Sequence, residues 1–201
     1  MVTASGENAP EAPPPPAWHR QLTTLEGWRQ FTVDVPEVPE LLPAAVRGGL
    51  SGDERSLHDE RRLDYHTRLG VVATSTLRHV VNTGRRLTLL NRHAISARRG
   101  LIVSGAAGTG KTTAITQLGK AHQAIDQRRH PGGDRIPVVY VTVPPAATPR
   151  MLAVEFARFL GIPVLPRANI TDVIEAVCGV MTDARTTVVC VDFTDRSHSC
   201  S

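Results

Sequence analysis

One segment, residues 105–112, limits the folds open to this chain more than any other part of the sequence. It reads GAAGTGKT and matches the pattern G-x-x-x-x-G-K-S/T. Glycines in this pattern let the backbone curl until successive N–H groups point at phosphate oxygens, and the helix that follows adds the positive end of its dipole. About one chain in a hundred of this length matches by chance, so the segment predicts a phosphate-binding loop.

Each position of the loop has an expected role. Lys111 would reach the β and γ phosphates, Thr112 would give its hydroxyl to Mg²⁺, and Thr113 would touch the α-phosphate. The other phosphate contacts would come from the backbone of Gly105, Ala106, Ala107, Gly108, Thr109 and Gly110.

Around the loop, short apolar runs alternate with helical patterns. Strands are predicted at 101–103, 137–143 and 186–191. Helices are predicted at 111–125, about 150–160 and about 172–182. Asp172 and Glu175 have the spacing of a capping box, which favours a helix start there. The alternation predicts an α/β fold, a P-loop three-layer core with a parallel sheet between helices.

The chain divides into three regions by composition. Residues 1–50 read as a Pro-rich disordered tail and linker with one short helix at 22–31, where Trp28 is a packing residue. Residues 51–99 read as a basic helical region, with one or two helices within 53–82, a break at Thr83 and Gly84, and another helix at 85–98. Residues 100–201 form the partial P-loop core.

A P-loop nucleotide site also needs an acid at the end of a neighbouring buried strand, where it holds Mg²⁺ through water. Asp192 follows four apolar residues, 188–191, and meets that requirement. A second acid often follows the first and polarises the attacking water, but here the next residue is Phe193. Asp195 lies in a segment without apolar periodicity, and we interpret it as a solvated residue.

Charge is distributed unevenly along the chain. Residues 61–130 hold 13 Arg or Lys against two acids, while the whole chain has a net charge of only +4. Such a block can face nucleic acid or form a solvated helix face. The three cysteines show neither disulfide nor zinc spacing. No run is apolar enough to span a membrane, and no signal peptide is evident, so we expect a cytoplasmic protein.

Three segments together resemble one protein family. They read GLIVSGAAGTGKTTAITQLGK, PVVYVTVPPAATPRMLAVEFARFLGIPV and TTVVCVD. They are similar to the ATP-binding proteins of the TniB type, which are AAA+ ATPases associated with transposition. The likeness covers roughly residues 61–192. The more family-specific part of the likeness is residues 137–164. There a predicted strand is followed by Pro-Pro and Thr-Pro, then by a predicted helix, and then by Leu-Gly-Ile-Pro.

The resemblance implies a ligand, partners and site residues. Proteins of this family bind ATP with Mg²⁺, assemble on DNA and help a transposase engage its target, and a homo-oligomer fits that role. By resemblance, Gly105 to Thr113 is the Walker A site, Lys111 is its catalytic lysine, and Asp192 is the Walker B acid that shares the metal with Thr112.

After Asp192 the chain departs from the family pattern. The family continues into a Glu, an Ile-His-Asn-like segment, a sensor-1 strand, further helices and a lid, whereas this chain reads FTDRSHSCS. In the family's sheet the sensor-1 strand lies between the Walker A and Walker B strands. We therefore expect a relative truncated or frameshifted just after the Walker B acid. Such a relative would retain the residues that bind the nucleotide, but it would lack the glutamate that usually supports hydrolysis.

Two other functions stay open at this point. One is a non-enzymatic DNA-binding or interaction fragment that uses the basic 61–130 block. The other is a P-loop signalling ATPase or small-molecule kinase. The distance between Lys111 and Asp192 and the PPAATP stretch favour the transposition family over the second alternative.

Overall fold

A computed structural model describes residues 21–35, 38–67, 70–93 and 95–193 of the chain. The tail predicted at the N-terminus, up to residue 20, and Asp195 lie outside these residues. The helices are α1 Leu25–Val33, α2 Ala44–Gly49, α3 Gly52–Thr67, α4 Ser75–Asn91, α5 Lys111–Arg129, α6 Pro149–Phe159 and α7 Ile170–Asp183. The strands are β1 Val138–Val143 and β2 Val188–Phe193.

The two strands form a parallel sheet in which Val138 pairs with Val188 and Thr142 pairs with Asp192. β1 is buried along almost its whole length, as expected for a strand with helices on both faces. Side chains alternate between faces along a strand. The face of Tyr140 and Cys190 lies toward α5, because the Cys190 thiol contacts the Ile115 carbonyl at 3.7 Å.

On the other face, α6 contacts β1 and α7 packs on α6. The layers therefore run helix, sheet, helix, as the alternating pattern predicts. The described sheet has two strands, so the α/β arrangement is confirmed at that coarser level only.

The predicted strand at 101–103 is wrong for the described residues. This segment is extended but pairs with no strand among them, and Ile102 is 92% exposed. A strand forms only when a neighbour takes its backbone N–H and C=O groups. The apolar run shows that this segment suits a strand, but pairing depends on what lies beside it.

Helix α4 corrects a second expectation. The helix runs without a break through Thr83 and Gly84, and it ends at Asn91 rather than near 98. A Cβ atom at Gly84 would lie 2.5 Å from the Leu118 methyl carbons. Gly84 is therefore a contact point between α4 and α5 and not a helix stop.

Helix α7 begins earlier than the Asp172 and Glu175 spacing indicated. Asn169 is its N-cap, and the Asn169 side chain accepts a hydrogen bond from the Thr171 N–H. Asn is one of the strongest N-cap residues, so it starts the helix at Ile170 and places Asp172 in the first turn.

Helix α1 packs directly on the core. The Trp28 side chain is 1% exposed and stacks on Tyr140 of β1, with the ring centroids 5.6 Å apart. Lys120 of α5 donates to the carbonyls of Phe31 and Asp34 at the end of α1. Trp28 is thus a packing residue, as expected, and α1 is joined to the helix that follows the glycine-rich loop.

Candidate functional site

The glycine-rich loop leads directly into α5. Gly108 and Gly110 have φ angles of 74° and 83°, a left-handed conformation that glycine adopts at low cost. Gly110 is the N-cap of α5, and no side chain caps the helix there. The first N–H groups of a helix have no partner within it, so this end presents donors and the positive end of the helix dipole.

Lys111 lies over the loop that precedes it. Its Nζ donates to the carbonyl oxygens of Gly105 and Ala106, at 2.9 and 2.8 Å. The Thr109 hydroxyl also donates to the Ala106 carbonyl, at 2.8 Å. Both side chains hold the loop closed around its own backbone. The Lys111 ammonium is therefore positioned at the concave side of the loop.

Asp192 is held by a residue that the sequence did not single out. The Tyr140 hydroxyl donates to Asp192 Oδ2 at 2.8 Å, across the two paired strands. Burial raises the pKa of Tyr140, and so do the hydrogen bond to Asp192 and the negative charge of that residue. Tyr140 therefore stays protonated and orients the Asp192 carboxylate. Only pairing of β1 with β2 brings these residues together.

Two contacts fix how α5 lies along β2. His122 contacts the Thr187 hydroxyl at 2.7 Å, and Cys190 contacts the Ile115 carbonyl at 3.7 Å. From Thr187 to Cys190 the strand spans about 10 Å in the forward direction of the chain. The helix covers about the same length from His122 back to Ile115, so the two elements run antiparallel. Continuing at this rate places Asp192 level with the first turn of α5.

Thr112 and Thr113 lie in that first turn, and both are exposed. Thr113 also lines a cavity of about 540 Å³ beside the loop, together with Lys111 and Val103. The opposite wall consists of residues 70–77, just before and within the start of α4. The sequence patterns did not assign these wall residues to the site. The one sequence feature that could have indicated this part of the site is the apolar pair Val71 and Val72, which lies outside any helix.

A family model described as "Bacterial TniB protein" matches residues 73–201, more than half of the chain. The chain belongs to the TniB family. The match covers the loop, Asp192 and the start of α4 in one continuous stretch, so it supports the resemblance found in the sequence. No curated protein and no solved structure gives a significant match.

Within this TniB-family chain, the basic 61–130 block does not form one surface. Lys111 lies at the glycine-rich loop, and Lys120 is used to hold the end of α1. Arg92, Arg98 and Arg129 lie together at the opposite end of α5. The excess charge of the block is therefore divided among several parts of the fold.

No described helix is long and apolar enough to cross a membrane. No described group of three or more His, Cys, Asp or Glu side chains is arranged to hold a metal ion.

Proposed function

We propose that this TniB-family chain is an ATP-binding protein that assists DNA transposition. The register of α5 along β2 carries the proposal: extended from the His122–Thr187 and Ile115–Cys190 contacts, it would bring Asp192 level with the start of α5, which no side chain caps. Phosphate donors, a lysine, a hydroxyl and a carboxylate would then face one bound ligand at this end of the sheet. That set is what a nucleoside triphosphate with its metal requires.

Each residue has a defined task in the proposed site. Backbone N–H groups from Gly105 to Gly110 and the start of α5 receive the phosphates, and Lys111 reaches the β and γ phosphates. Thr112 and Asp192 would hold Mg²⁺, and Thr113 would contact the α-phosphate. Mg²⁺ commonly takes one or two protein ligands and completes its shell with phosphate oxygens and water, so this short donor set fits it. When bound, the ion neutralises charge on the phosphates.

The cavity beside the loop supplies a place for the nucleoside. It is continuous with Lys111 and Thr113 and is walled by the apolar side chains of Val71, Val72 and Leu77. The lining also carries the hydroxyls of Thr74, Thr76 and Ser104, and small-molecule sites combine apolar walls with polar groups that fix the orientation of the ligand. The apolar side chains of this wall cannot distinguish adenine from guanine. We therefore propose ATP rather than GTP only because the family binds ATP.

Hydrolysis is not part of the proposal for the chain alone. Phe193 follows Asp192 and carries no group that can accept a proton from water. Tyr140 donates to Asp192 and so orients this carboxylate as a metal ligand. We therefore expect binding without turnover, with DNA, a transposase and further copies of the chain as partners in the cytoplasm.

Of the alternatives, a P-loop signalling ATPase would have the same loop but not the match to the TniB family. A purely DNA-binding fragment would not need the concave loop, the left-handed glycines or the buried partner of Asp192. DNA contact is compatible with nucleotide binding, because the arginines at the far end of α5 are separate from the loop.

Lys111→Ala tests the proposal. Wild-type chain with Mg²⁺ should bind a fluorescent ATP analogue with a Kd on the order of micromolar. The variant should bind at least about a hundredfold more weakly, because it loses charge-assisted contacts to two phosphates. Calorimetry measures both affinities, and a phosphate-release assay run beside it should stay near background.

The chain offers a matched control in its one other lysine. Lys120→Ala removes an equal charge from the same helix. The contacts that it removes are those with the end of α1 and not those at the loop. It should keep nucleotide affinity within about twofold while lowering stability. Equal affinity in wild type and Lys111→Ala would contradict the proposed site.

A further inference from the structure

A second cavity lies at the end of the molecule away from the glycine-rich loop. It has a volume of about 680 Å³ and lies among the C-terminal ends of α4, α5 and α7 and the start of β2. We call it the arginine cleft. Its charged lining includes one acid and five arginines, namely Asp126, Arg92, Arg98, Arg129, Arg135 and Arg185.

The arginine cleft is separate from the proposed nucleotide site. α5 has 19 residues, so its two ends are about 28 Å apart. Lys111 begins the helix and Arg129 ends it. The cleft therefore has no part in holding a nucleotide at the loop, and its charge needs an explanation of its own.

Little of that charge is neutralised within the fold. Asp126 already pairs with Arg135 at 3.0 Å and with His130 at 3.3 Å. In the described part of the chain, no carboxylate forms an ion pair with the other four arginines. Burial lowers the pKa of His122, and the positive charges of Arg129 and Arg92 lower it further against the opposing effect of Asp126. Among the described residues, Asp126 is thus the one acid in the cleft, and it leaves most of the positive charge there unbalanced.

The loop that carries Arg98 is tied to the end of α4. The Asn91 side chain donates to the Arg99 carbonyl at 2.8 Å and accepts from the Arg99 N–H at 2.9 Å. These two bonds hold the backbone of Arg99 against the end of α4. The backbone next to Arg98 is thereby fixed, while the side chains of Arg92, Arg98, Arg129 and Arg185 are exposed and accessible to a ligand.

Arg185 occupies a backbone position that favours glycine. Its φ is 56°, and it follows α7 in a Schellman motif, with Arg185 N–H bonded to the Thr182 carbonyl and Thr186 N–H to the Met181 carbonyl. Gly161 takes the equivalent left-handed role after α6, with φ 71°. A side chain in this conformation is strained, and such strain concentrates at functional sites. Arg185 gains nothing for the fold that glycine would not supply.

The chemistry of the lining identifies the ligand. Arginine forks match phosphate oxygens better than any other side chain, and no Phe, Tyr or Trp is among the described residues that line the cleft. Sites for single-stranded nucleic acid use aromatic rings to stack bases. We propose that the arginine cleft binds the sugar-phosphate backbone of duplex DNA, without reading its sequence. The inference rests on the proposed function, because it locates the DNA contact of a transposition accessory protein.

Arg185→Gly separates a binding role from a structural one. The full chain is titrated into a fluorescently labelled duplex of arbitrary sequence, and anisotropy is recorded at several salt concentrations. The variant should bind about tenfold more weakly, and the slope of log K against log salt should fall by about 0.9. Its Tm should rise by about 2–4 °C, because the strain is removed. A variant that binds duplex as wild type does would overturn the proposal.

A pair of charge-matched variants separates the cleft from diffuse charge. Arg129→Gln and Arg86→Gln each remove one exposed helical arginine from the 61–130 block, but only Arg129 lines the cleft. Arg129→Gln should weaken duplex binding about tenfold and Arg86→Gln at most about twofold. Equal losses, or tighter Arg129-dependent binding to a single strand, would overturn the proposal.

Nucleotide binding is measured on the same samples. Arg185→Gly should bind the ATP analogue as wild type does, and Lys111→Ala should keep the salt slope for duplex. If the wild-type chain binds duplex but not the ATP analogue, the proposed nucleotide site has failed and the cleft stands. If it binds the analogue but not duplex, the cleft proposal alone has failed.

Discussion

Among single residues, Tyr140 connects more of the proposed site than its position in a strand suggests. Its hydroxyl donates to Asp192, and its ring stacks on Trp28 with an angle of 10° between the planes. One side chain thus joins the Asp192 carboxylate, the proposed Mg²⁺ ligand, to the buried face of α1. Partners of metal ligands typically contribute ten- to a hundredfold to metal affinity, so the proposed site would make Tyr140 a positioning residue.

Tyr140→Phe should preserve the ring contact and remove only the hydrogen bond. We expect Mg²⁺ to support ATP binding about tenfold less well, because the Asp192 carboxylate loses its orienting donor. Magnesium titrations at fixed ATP analogue measure this effect, and affinity for the nucleotide without metal should not change. A merely structural role for Tyr140 would lower both affinities together or neither.

Among the elements, α5 organises the molecule. It carries the loop at its N-terminus and the arginine cleft at its C-terminus, and it contacts α1, α4, β1 and β2. Such close packing requires small residues at the contact points. A Cβ atom at Gly119 would lie 2.6 Å from the Trp28 ring, which is itself buried and cannot move aside.

Gly119→Ala should therefore lower the free energy of unfolding by about 1–3 kcal/mol, because overpacking outweighs the helix propensity of alanine. Gly179→Ala is the matched control, since Gly179 lies within α7 with nothing near its missing Cβ. That change should raise the stability by about 0.5–1 kcal/mol. Chemical denaturation measures both, and a stabilised Gly119→Ala would contradict the close α1–α5 contact.

At the scale of the whole molecule, the sheet leaves apolar residues uncovered. Within the described residues only β1 pairs with β2, and Val189 and Phe193 of β2 are 43% and 69% exposed. Open strand edges with apolar side chains favour pairing between chains. The 201-residue chain should therefore self-associate through β2, in line with the proposed homo-oligomer.

Val189→Lys should weaken this association about tenfold, because a charge on an open strand opposes edge-to-edge pairing. Sedimentation velocity over a range of protein concentrations measures the effect. Leu165→Lys is the control, since Leu165 is 74% exposed between α6 and α7 and away from the sheet. If both variants associate alike, the contact does not involve β2.

Local sequence determined the elements whose signals lie within a few neighbouring residues. The loop with its left-handed glycines, strand β1, helix α6 and the position of Asp192 near the end of β2 all agree with the patterns that predicted them. Backbone sterics, capping and side-chain periodicity act over such short distances, so the chain itself carries that information.

Tertiary structure decided everything that depends on residues far apart in the chain. Residues 101–103 have strand-like composition but pair with no strand among the described residues, and Gly84 lies inside a helix where it meets Leu118. Tyr140 reaches Asp192 only through strand pairing. The arginine cleft forms because the ends of three helices converge. Periodicity does not record such contacts, since their energy comes from surfaces that meet only in the folded chain.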